Sequence, residues 1–396
     1  MRILLVNEKW GMSGGQERYI LQVGNGLLQR GHDVRLVFGE AEGPVVDTTL
    51  AKFRADLISS LNPEAVIKYT HDFNPDVVNL QNVYDSRLIS SLSPRYPVTR
   101  FVHDHATYCP GNSKYFFNSR KICPVATSGI CLLNAYREKC MTRRLLVALA
   151  RVTQRREWIE VLKTLPLVLC NSSYVKDRLV QNGIDAEKVV VNGLFPGHNI
   201  LDLNGFPIGL GPLGHNPQEK TILFVGRLFK EKGADLLIRA VSQLDAPLKV
   251  KIVGDGWEKE ELVRLAEELK VNHKVEFLGF KNVRELAALY SQCDMFVMPS
   301  VWPEPFGMVG LEAGQFRKPV IAFNVGGISD WLEDGVNGLL LWESNVNFLS
   351  EAINKLILNP RLCREMGERG FELVKHTFNL ERHLDVLEQT YQKIMK

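Results

Sequence analysis

The stretch Asp294-Met295-Phe296-Val297-Met298-Pro299-Ser300-Val301-Trp302-Pro303-Glu304-Pro305-Phe306-Gly307-Met308-Val309-Gly310-Leu311-Glu312 decides the fold. Its first five residues are an apolar run bounded by turn-forming residues, the pattern of a buried strand. Two prolines then bracket Glu304; each fixes its own φ and pushes the residue before it toward extended geometry. Glu304 is therefore expected in a stiff, non-helical loop. Phe306 to Ala313 reads as the start of a helix, with Gly307 and Gly310 allowing close approach of a ligand to the backbone. The first N–H groups of a helix lack intrahelical partners and favour negative or electron-rich groups. Strand, polar loop and helix in that order are one βα unit, with Glu304 on its loop and Glu312 about a turn inside its helix.

The same unit recurs on both sides. Ile3 to Val6 reads as a buried strand, Gly11-Met12-Ser13-Gly14-Gly15 as a loop, Gln16 to Leu28 as a helix and Asp33 to Phe38 as a second strand. Further strands are expected at 76–80, 98–102, 167–170 and 189–191, with Asn171-Ser172-Ser173 capping a helix over 174–181. Between Asn192 and Asn216 the pattern dissolves into Gly, Pro and Asn, which reads as a linker. A second series starts at Thr221, with strands expected at 248–253, 275–278, 295–298 and 320–323, helices between them, and helical structure throughout from Phe348 to Lys396. Strands alternating with helices predict parallel sheets covered on both faces. The expected fold class is α/β, two doubly wound domains facing a cleft. The boundaries are 1–195 and 196–379, with a helix at 380–396 packing back on the first domain.

Bulk properties fit this plan. A chain of 396 residues with 45% hydrophobic and 23% charged residues is long enough for two cores. The net charge of +3 divides into +7 over residues 1–195 and −4 over 196–396, which hints at an anionic partner for the first half. The first apolar run is too short for a signal peptide and no segment approaches the length of a membrane span. Seven cysteines without tidy pairing fit a reducing compartment. A cytoplasmic protein is expected, with peripheral attachment to the inner face of a membrane as an option.

In doubly wound sheets ligands sit at the carboxyl ends of the strands. Three loops of the second domain fall there. Gly226-Arg227-Leu228-Phe229-Lys230-Glu231-Lys232-Gly233 carries Arg227 as a bidentate fork and Lys232 as a point charge, both able to reach one diphosphate. Val253-Gly254-Asp255-Gly256 and Leu278-Gly279-Phe280 end the next two strands. A merely solvated basic loop is the plainer reading of the first, and strand-ending glycines are common. The chain holds no Asp-x-Asp pair, the usual carboxylate clamp for a metal on a diphosphate. Arg227, Lys232 and the helix start near Gly307 would then neutralise a leaving group without a metal.

Taken together, the Glu304–Glu312 pair, the Arg227/Lys232 loop, Gly254 and Gly256, Gly14-Gly15 with Glu17, and His103-Asp104 resemble the family-4 retaining glycosyltransferases of the GT-B fold. The matching pieces span residues 3 to 338. The resemblance implies two Rossmann-like domains and transfer of a sugar from a nucleotide-diphosphate-sugar co-substrate to a hydroxyl acceptor, as in building a cell-surface glycan or glycolipid. It implies that Arg227 and Lys232 bind the diphosphate and Glu312 the ribose hydroxyls. Glu304 and the backbone of Phe306, Gly307, Met308 and Val309 would hold the sugar, and the backbone around Phe280 the base. Gly14 and Gly15 would close over phosphate and acceptor, and His103 and Asp104 would serve catalysis or acceptor positioning. Retention of configuration follows by front-face attack, with no cofactor required and no metal. One departure is visible: after Asn192-Gly193 the family has an aliphatic residue and then Asp, where this chain has Leu194-Phe195-Pro196.

Other readings remain beside this one. A dinucleotide site at Gly11 to Gly15 lacks the G-x-G-x-x-G spacing. A lone His at a cleft rim is more often structural, but the resemblance favours a catalytic or acceptor-positioning role for His103. Cys109, Cys123, Cys131 and Cys140 are four thiols in a loop-rich stretch, a candidate structural metal site or simply free thiols. Arg137 to Arg156 carries seven basic residues around Leu145 to Ala150, so a basic amphipathic helix on an anionic membrane surface competes with a helix packed on the core. No nucleic acid partner is expected. A nucleotide-sugar epimerase and a non-catalytic nucleotide-sugar-binding protein are the rival functions on the same fold.

Overall fold

A computed structural model describes residues 1–11, 15–42, 51–197 and 219–396. Met12, Ser13 and Gly14, and the linker beyond Gly197, lie outside the described residues. The chain forms two compact units: Met1–Gly197 with Leu380–Lys396, and His198–Asn379.

In the first unit the order is β1 (Arg2–Gly11), α1 (Gly15–Gln29), β2 (Asp33–Glu42), β3 (Arg54–Leu57), α2 (Pro63–Phe73), β4 (Val77–Leu80), α3 (Ser86–Leu92) and β5 (Val98–Val102). A hairpin, β6 (Tyr115–Phe116) with β7 (Lys121–Ile122), then leads to α4 (Ile130–Glu138), α5 (Leu145–Thr164), β8 (Leu167–Cys170), α6 (Ser173–Gln181) and β9 (Val189–Val191). The main sheet runs β3-β2-β1-β4-β5-β8-β9, its pairings all parallel. Ile3, Leu4, Leu5 and Val6 are fully buried because a parallel sheet is covered on both faces. Ser172 caps α6 by accepting from the Val175 N–H at 3.2 Å.

The second unit holds β10 (Lys220–Val225), α7 (Ala234–Val241), β11 (Leu248–Val253), α8 (Lys259–Glu268), β12 (Val275–Gly279), α9 (Val283–Gln292), β13 (Met295–Met298), α10 (Met308–Gln315), β14 (Val320–Phe323) and β15 (Gly338–Leu341). Its sheet runs β12-β11-β10-β13-β14-β15, again parallel. The order reverses at β10, whose neighbours are β11 and β13, so this is the switch point where a crevice opens at the carboxyl ends.

Two sequence expectations are corrected and one is refined. The helical tail is divided into three, α11 (Val346–Leu358), α12 (Pro360–His376) and α13 (Leu380–Ile394). Pro360 cannot continue the preceding helix and starts its own, and Thr377 to Asn379 break the chain again. The helix after Glu304 begins at Met308 rather than Phe306, because Gly307 at φ +85° is its left-handed N-cap. Arg137 to Arg156 is not one basic helix: α4 ends at Glu138 and α5 begins at Leu145. The apolar residues of α5 spread around it, with Leu145, Leu146, Val147 and Leu149 exposed and Ala148 and Val152 buried.

Helix α13 belongs to the first unit by specific contacts. Arg30 pairs with Glu381 at 2.6 Å, Asp385 at 2.8 Å and Glu388 at 2.9 Å, while His32 meets Glu388 at 2.6 Å. Tyr19 Oη lies 2.9 Å from His383 Nε2. Gly26 lets the helices touch, since an added Cβ there would stand 2.6 Å from Leu384 Cδ1. Leu194 and Phe195 are buried; the Phe195 ring packs edge-on against His383 at 5.0 Å, which is what stands in place of the family's Asp.

Candidate functional site

The carboxyl ends of β10, β11 and β12 are laced together by their backbones. The Gly226 N–H donates to Val253 O at 3.0 Å, Leu228 N–H to Asp255 O at 2.9 Å, and Gly254 N–H to Gly279 O at 2.9 Å. Gly254 makes this possible: its φ is +130°, and a Cβ would stand 1.8 Å from Gly226 O. Gly256 is held against Leu228 O, which a Cβ would approach to 2.4 Å. The glycines on this rim are therefore packing requirements before they are ligand contacts.

Lys232 and Glu304 come from different βα loops and meet as an ion pair, Nζ to Oε1 2.6 Å, with side-chain exposures of 16% and 9%. The Lys232 ammonium also sits 4.4 Å from the centre of the Trp302 ring. The Glu304 loop is pinned on two sides. Val301 and Trp302 N–H groups donate to Glu231 O at 3.0 and 3.2 Å, and Gly327 N–H donates to Glu304 O at 2.7 Å. Gly326, at φ +65°, lies so close beneath that a Cβ would be 2.1 Å from Glu304 O.

Helix α10 is set against this loop by Trp331, whose indole N–H donates to Phe306 O at 2.6 Å. Its ring occupies the space a side chain at Gly310 would need, 2.0 Å from an added Cβ. Phe306 is buried; Gly307, Met308 and Val309 are half-buried at the helix start. Glu312, half-buried, accepts from Tyr290 Oη at 3.1 Å; burial, and next the Glu312 carboxylate, push the Tyr290 hydroxyl well above its usual range. Arg227 is exposed and its guanidinium lies 4.9 Å from the centre of the Phe229 ring, which stacks on Trp257 at 3.7 Å. Phe280 is 80% exposed just beyond β12. A carboxylate paired to a lysine, an exposed arginine, an open helix start and an exposed aromatic make a site suited to an anionic, polyhydroxylated ligand with a planar group. A cavity of about 460 Å³ lined by Lys220, Asp294, Lys318 and Arg364 lies at the amino ends of the strands, the opposite end of the same sheet.

In the first unit, His103 is half-buried in an aromatic cluster, stacked on Phe101 at 4.5 Å and edge-on to Tyr19 at 4.8 Å. Its Nε2 faces Gln81 Oε1 at 2.6 Å. Burial above all, then Arg100 and His383, push its pKa down to about 3. Asp104 caps a short 3₁₀ turn by accepting from Ala106 N–H at 2.8 Å, and burial raises its pKa. Gly15 is the exposed first residue of α1, and Gly14 lies outside the described residues. Cys109, Cys123, Cys131 and Cys140 line one small cavity.

Trp302, Trp331, Tyr290, Gly326 and Gly327 were not singled out in the sequence. The Gly326-Gly327 pair following a buried strand was a usable signal. The two tryptophans and the tyrosine act through long-range contacts that spacing does not reveal.

Two parallel doubly wound units with loops of this kind define the GT-B class, and solved structures agree on the fold. HepE of Anabaena in complex with UDP is similar at TM-score 0.74, 19% identical, over 99% of this chain and 100% of that one. A glycosyltransferase of Rickettsia africae is similar at TM-score 0.75, 18% identical, over 100% and 99%. Residues 13–192 match the family described as Glycosyltransferase Family 4, and residues 211–373 that described as Glycosyl transferases group 1. The chain belongs to this glycosyltransferase family. Among curated proteins, an uncharacterized glycosyltransferase of Methanocaldococcus jannaschii is 33% identical over 57% of this chain and 59% of its own length. The D-inositol 3-phosphate glycosyltransferase of Mycobacterium tuberculosis is 32% identical over 55% and 48%. The chain thus spans about half the length of the curated relatives it matches.

Proposed function

We propose that this protein transfers a sugar, with retention of anomeric configuration, from a nucleotide-diphosphate-sugar to a hydroxyl acceptor. The single observation that carries the reading is the Lys232–Glu304 pair at 2.6 Å beside the open start of α10. Arg227 and Lys232 take the diphosphate, and the N–H groups from Gly307 to Val309 add partial positive charge where the leaving group gathers its negative charge. Glu304 accepts hydrogen bonds from sugar hydroxyls, which also holds Lys232 in register. Glu312 takes the ribose hydroxyls, oriented by Tyr290, and Phe280 borders the base. The sugar's C1–O bond to phosphate breaks while the acceptor oxygen bonds C1 from the same face, and the departing phosphate accepts the acceptor proton. No metal takes part in this scheme.

Gly14, Gly15, His103 and Asp104 are assigned to the acceptor side. At a pKa of about 3 His103 is neutral at physiological pH, so it serves as a hydrogen-bonding group for an acceptor hydroxyl and not as a cation. The acceptor class we favour is a membrane-associated glycan or glycolipid precursor at the inner face of a membrane. The exposed Leu145, Leu146, Val147 and Leu149 next to Arg143 and Arg144 support that preference. No described helix is long and apolar enough to cross a membrane.

The test is turnover. The protein is incubated with each common nucleotide sugar and a lipid extract, and nucleoside diphosphate release is followed by mass spectrometry. Proton coupling at the product's anomeric centre then reads the configuration. Release with retained configuration, abolished in Glu304→Ala, is expected. Inverted product refutes the mechanism, and interconversion of free nucleotide sugars without release refutes the reaction.

A further inference from the structure

The stretch between β5 and α5 carries a feature that sugar transfer does not use. Cys109, Cys123, Cys131 and Cys140 are spaced by 13, 7 and 8 residues, yet all four line one cavity with Lys114. The chain reaches it from three directions. Cys109 precedes a tight loop in which Asn112 and Lys114 adopt left-handed φ of 61° and 54°. Cys123 follows the β6–β7 hairpin and is tied back by its N–H donating to Lys114 O at 2.8 Å. Cys131 stands in the first turn of α4 and Cys140 just past its end. Gly111 admits the Cys140 segment: a Cβ there would be 2.1 Å from Cys140 O.

The cavity has room for about 20 Å³. That suffices for one water-sized guest and excludes an organic ligand or a multinuclear cluster. Two further observations bear on what the guest is. The Lys114 N–H points at Cys109 Sγ, 3.4 Å away, the kind of backbone-to-sulfur contact that supports a thiolate ligand. Lys114 is 2% exposed, and its ammonium donates to Val125 O with Cys123 Sγ 4.0 Å away. A buried ammonium is stabilised by negative charge nearby, and the acidic side chain within reach of this one is the Cys123 thiol. Four thiolates around one divalent ion carry a net charge of about −2, which the lysine partly neutralises.

We propose that Cys109, Cys123, Cys131 and Cys140 bind one Zn²⁺ as a four-thiolate structural site, with Lys114 as its charge-balancing neighbour. Among the described residues no three metal-ligating side chains already converge on a common centre, so binding turns the thiols inward and releases their protons. The ion staples hairpin to helix in a segment short of regular structure.

The full chain is purified without chelator, its zinc counted by elemental analysis, and the zinc exchanged for Co²⁺. One equivalent of zinc per chain is expected. So are a sulfur-to-cobalt charge-transfer band and the visible bands of a tetrahedral site. Cys131→Ser should weaken or abolish both, Cys363→Ser should leave both unchanged, and zinc removal should lower the melting temperature. Metal-free reduced protein that gives no band with equimolar Co²⁺ overturns the proposal. So does a mass deficit matching disulfides among these cysteines, or iron in place of zinc. Because the wild-type cobalt spectrum decides, a variant that fails to fold does not obscure the answer.

Discussion

The coupling between Lys232 and Glu304 can be worked out and measured. Their charged atoms are 2.6 Å apart and both side chains are mostly buried. At an effective dielectric of about 20 the gross attraction is about 6 kcal/mol. Removing each ion from water costs several kcal/mol, so a net coupling of about 2–3 kcal/mol is expected. Trp302 retains part of the ammonium's stabilisation when Glu304 is lost, which keeps the value below that of a fully isolated buried pair. The perturbation is a double-mutant cycle of Lys232→Met, Glu304→Gln and the double variant, read by urea denaturation of the full chain. Each single variant should lose about 2–4 kcal/mol, and the double variant should lose less than their sum by the coupling energy. The same variants should lose donor turnover by more than ten-fold, since both groups are proposed to hold the donor. Additive single effects with coupling near zero would refute the reasoning, because the pair would then be a solvated contact of no structural weight.

Other outcomes follow from the same physics. His103 and His383 have pKa values pushed down to about 3 and about 4, below the unfolded value near 6.5. The unfolded chain therefore binds more protons in that window, and stability present above pH 6.5 is lost as pH falls toward 4, by a few kcal/mol. Asp104, raised by burial, opposes this in part. Melting curves from pH 7.5 to 4.5 should fall steeply, and less so in His383→Gln; parallel curves would count against the assignment. Gly326→Ala forces a side chain into left-handed backbone and onto Glu304 O, at a cost of about 2–4 kcal/mol and several degrees of melting temperature. A variant melting like wild type would show that the loop yields freely. Tyr290→Phe keeps the ring stacked on Phe316 but removes the hydrogen bond to Glu312, about 1 kcal/mol; donor affinity by calorimetry should weaken several-fold. Unchanged affinity would mean that Glu312 does not depend on it.

The fold was legible because parallel strands are short, fully apolar runs, and Leu4, Val250 and Phe296 announce theirs without help from the rest of the chain. Helix ends were less so. Phe306 is apolar enough to begin a helix, but Gly307 in the left-handed region postpones it, and no local pattern shows that. The tail from Phe348 has helical periodicity nearly throughout, which hid the breaks at Asn359-Pro360 and at Thr377 to Asn379. At the candidate site, Glu304, Lys232 and Glu312 were visible as charges in loops or on a helix at the carboxyl end of a sheet. That Lys232 and Glu304 touch across 72 residues was not. Trp331, which fixes α10 by one hydrogen bond and by filling the space over Gly310, reads in sequence as an ordinary core aromatic. Asp104 reads as a rim carboxylate, and the structure adds a capping job that sequence alone did not suggest.

The second unit is proposed to bind a nucleotide-diphosphate-sugar through Arg227, Lys232 and the start of α10. Isothermal titration of the full chain with a panel of nucleotide sugars, in EDTA, tests it most directly. Saturable one-site binding of at least one donor in EDTA is expected, weakened ten-fold or more, about 1.4 kcal/mol, by Arg227→Met while the fold is unchanged by circular dichroism. Binding that appears only when Mg²⁺ or Mn²⁺ is restored, or that Arg227→Met leaves intact, would contradict it.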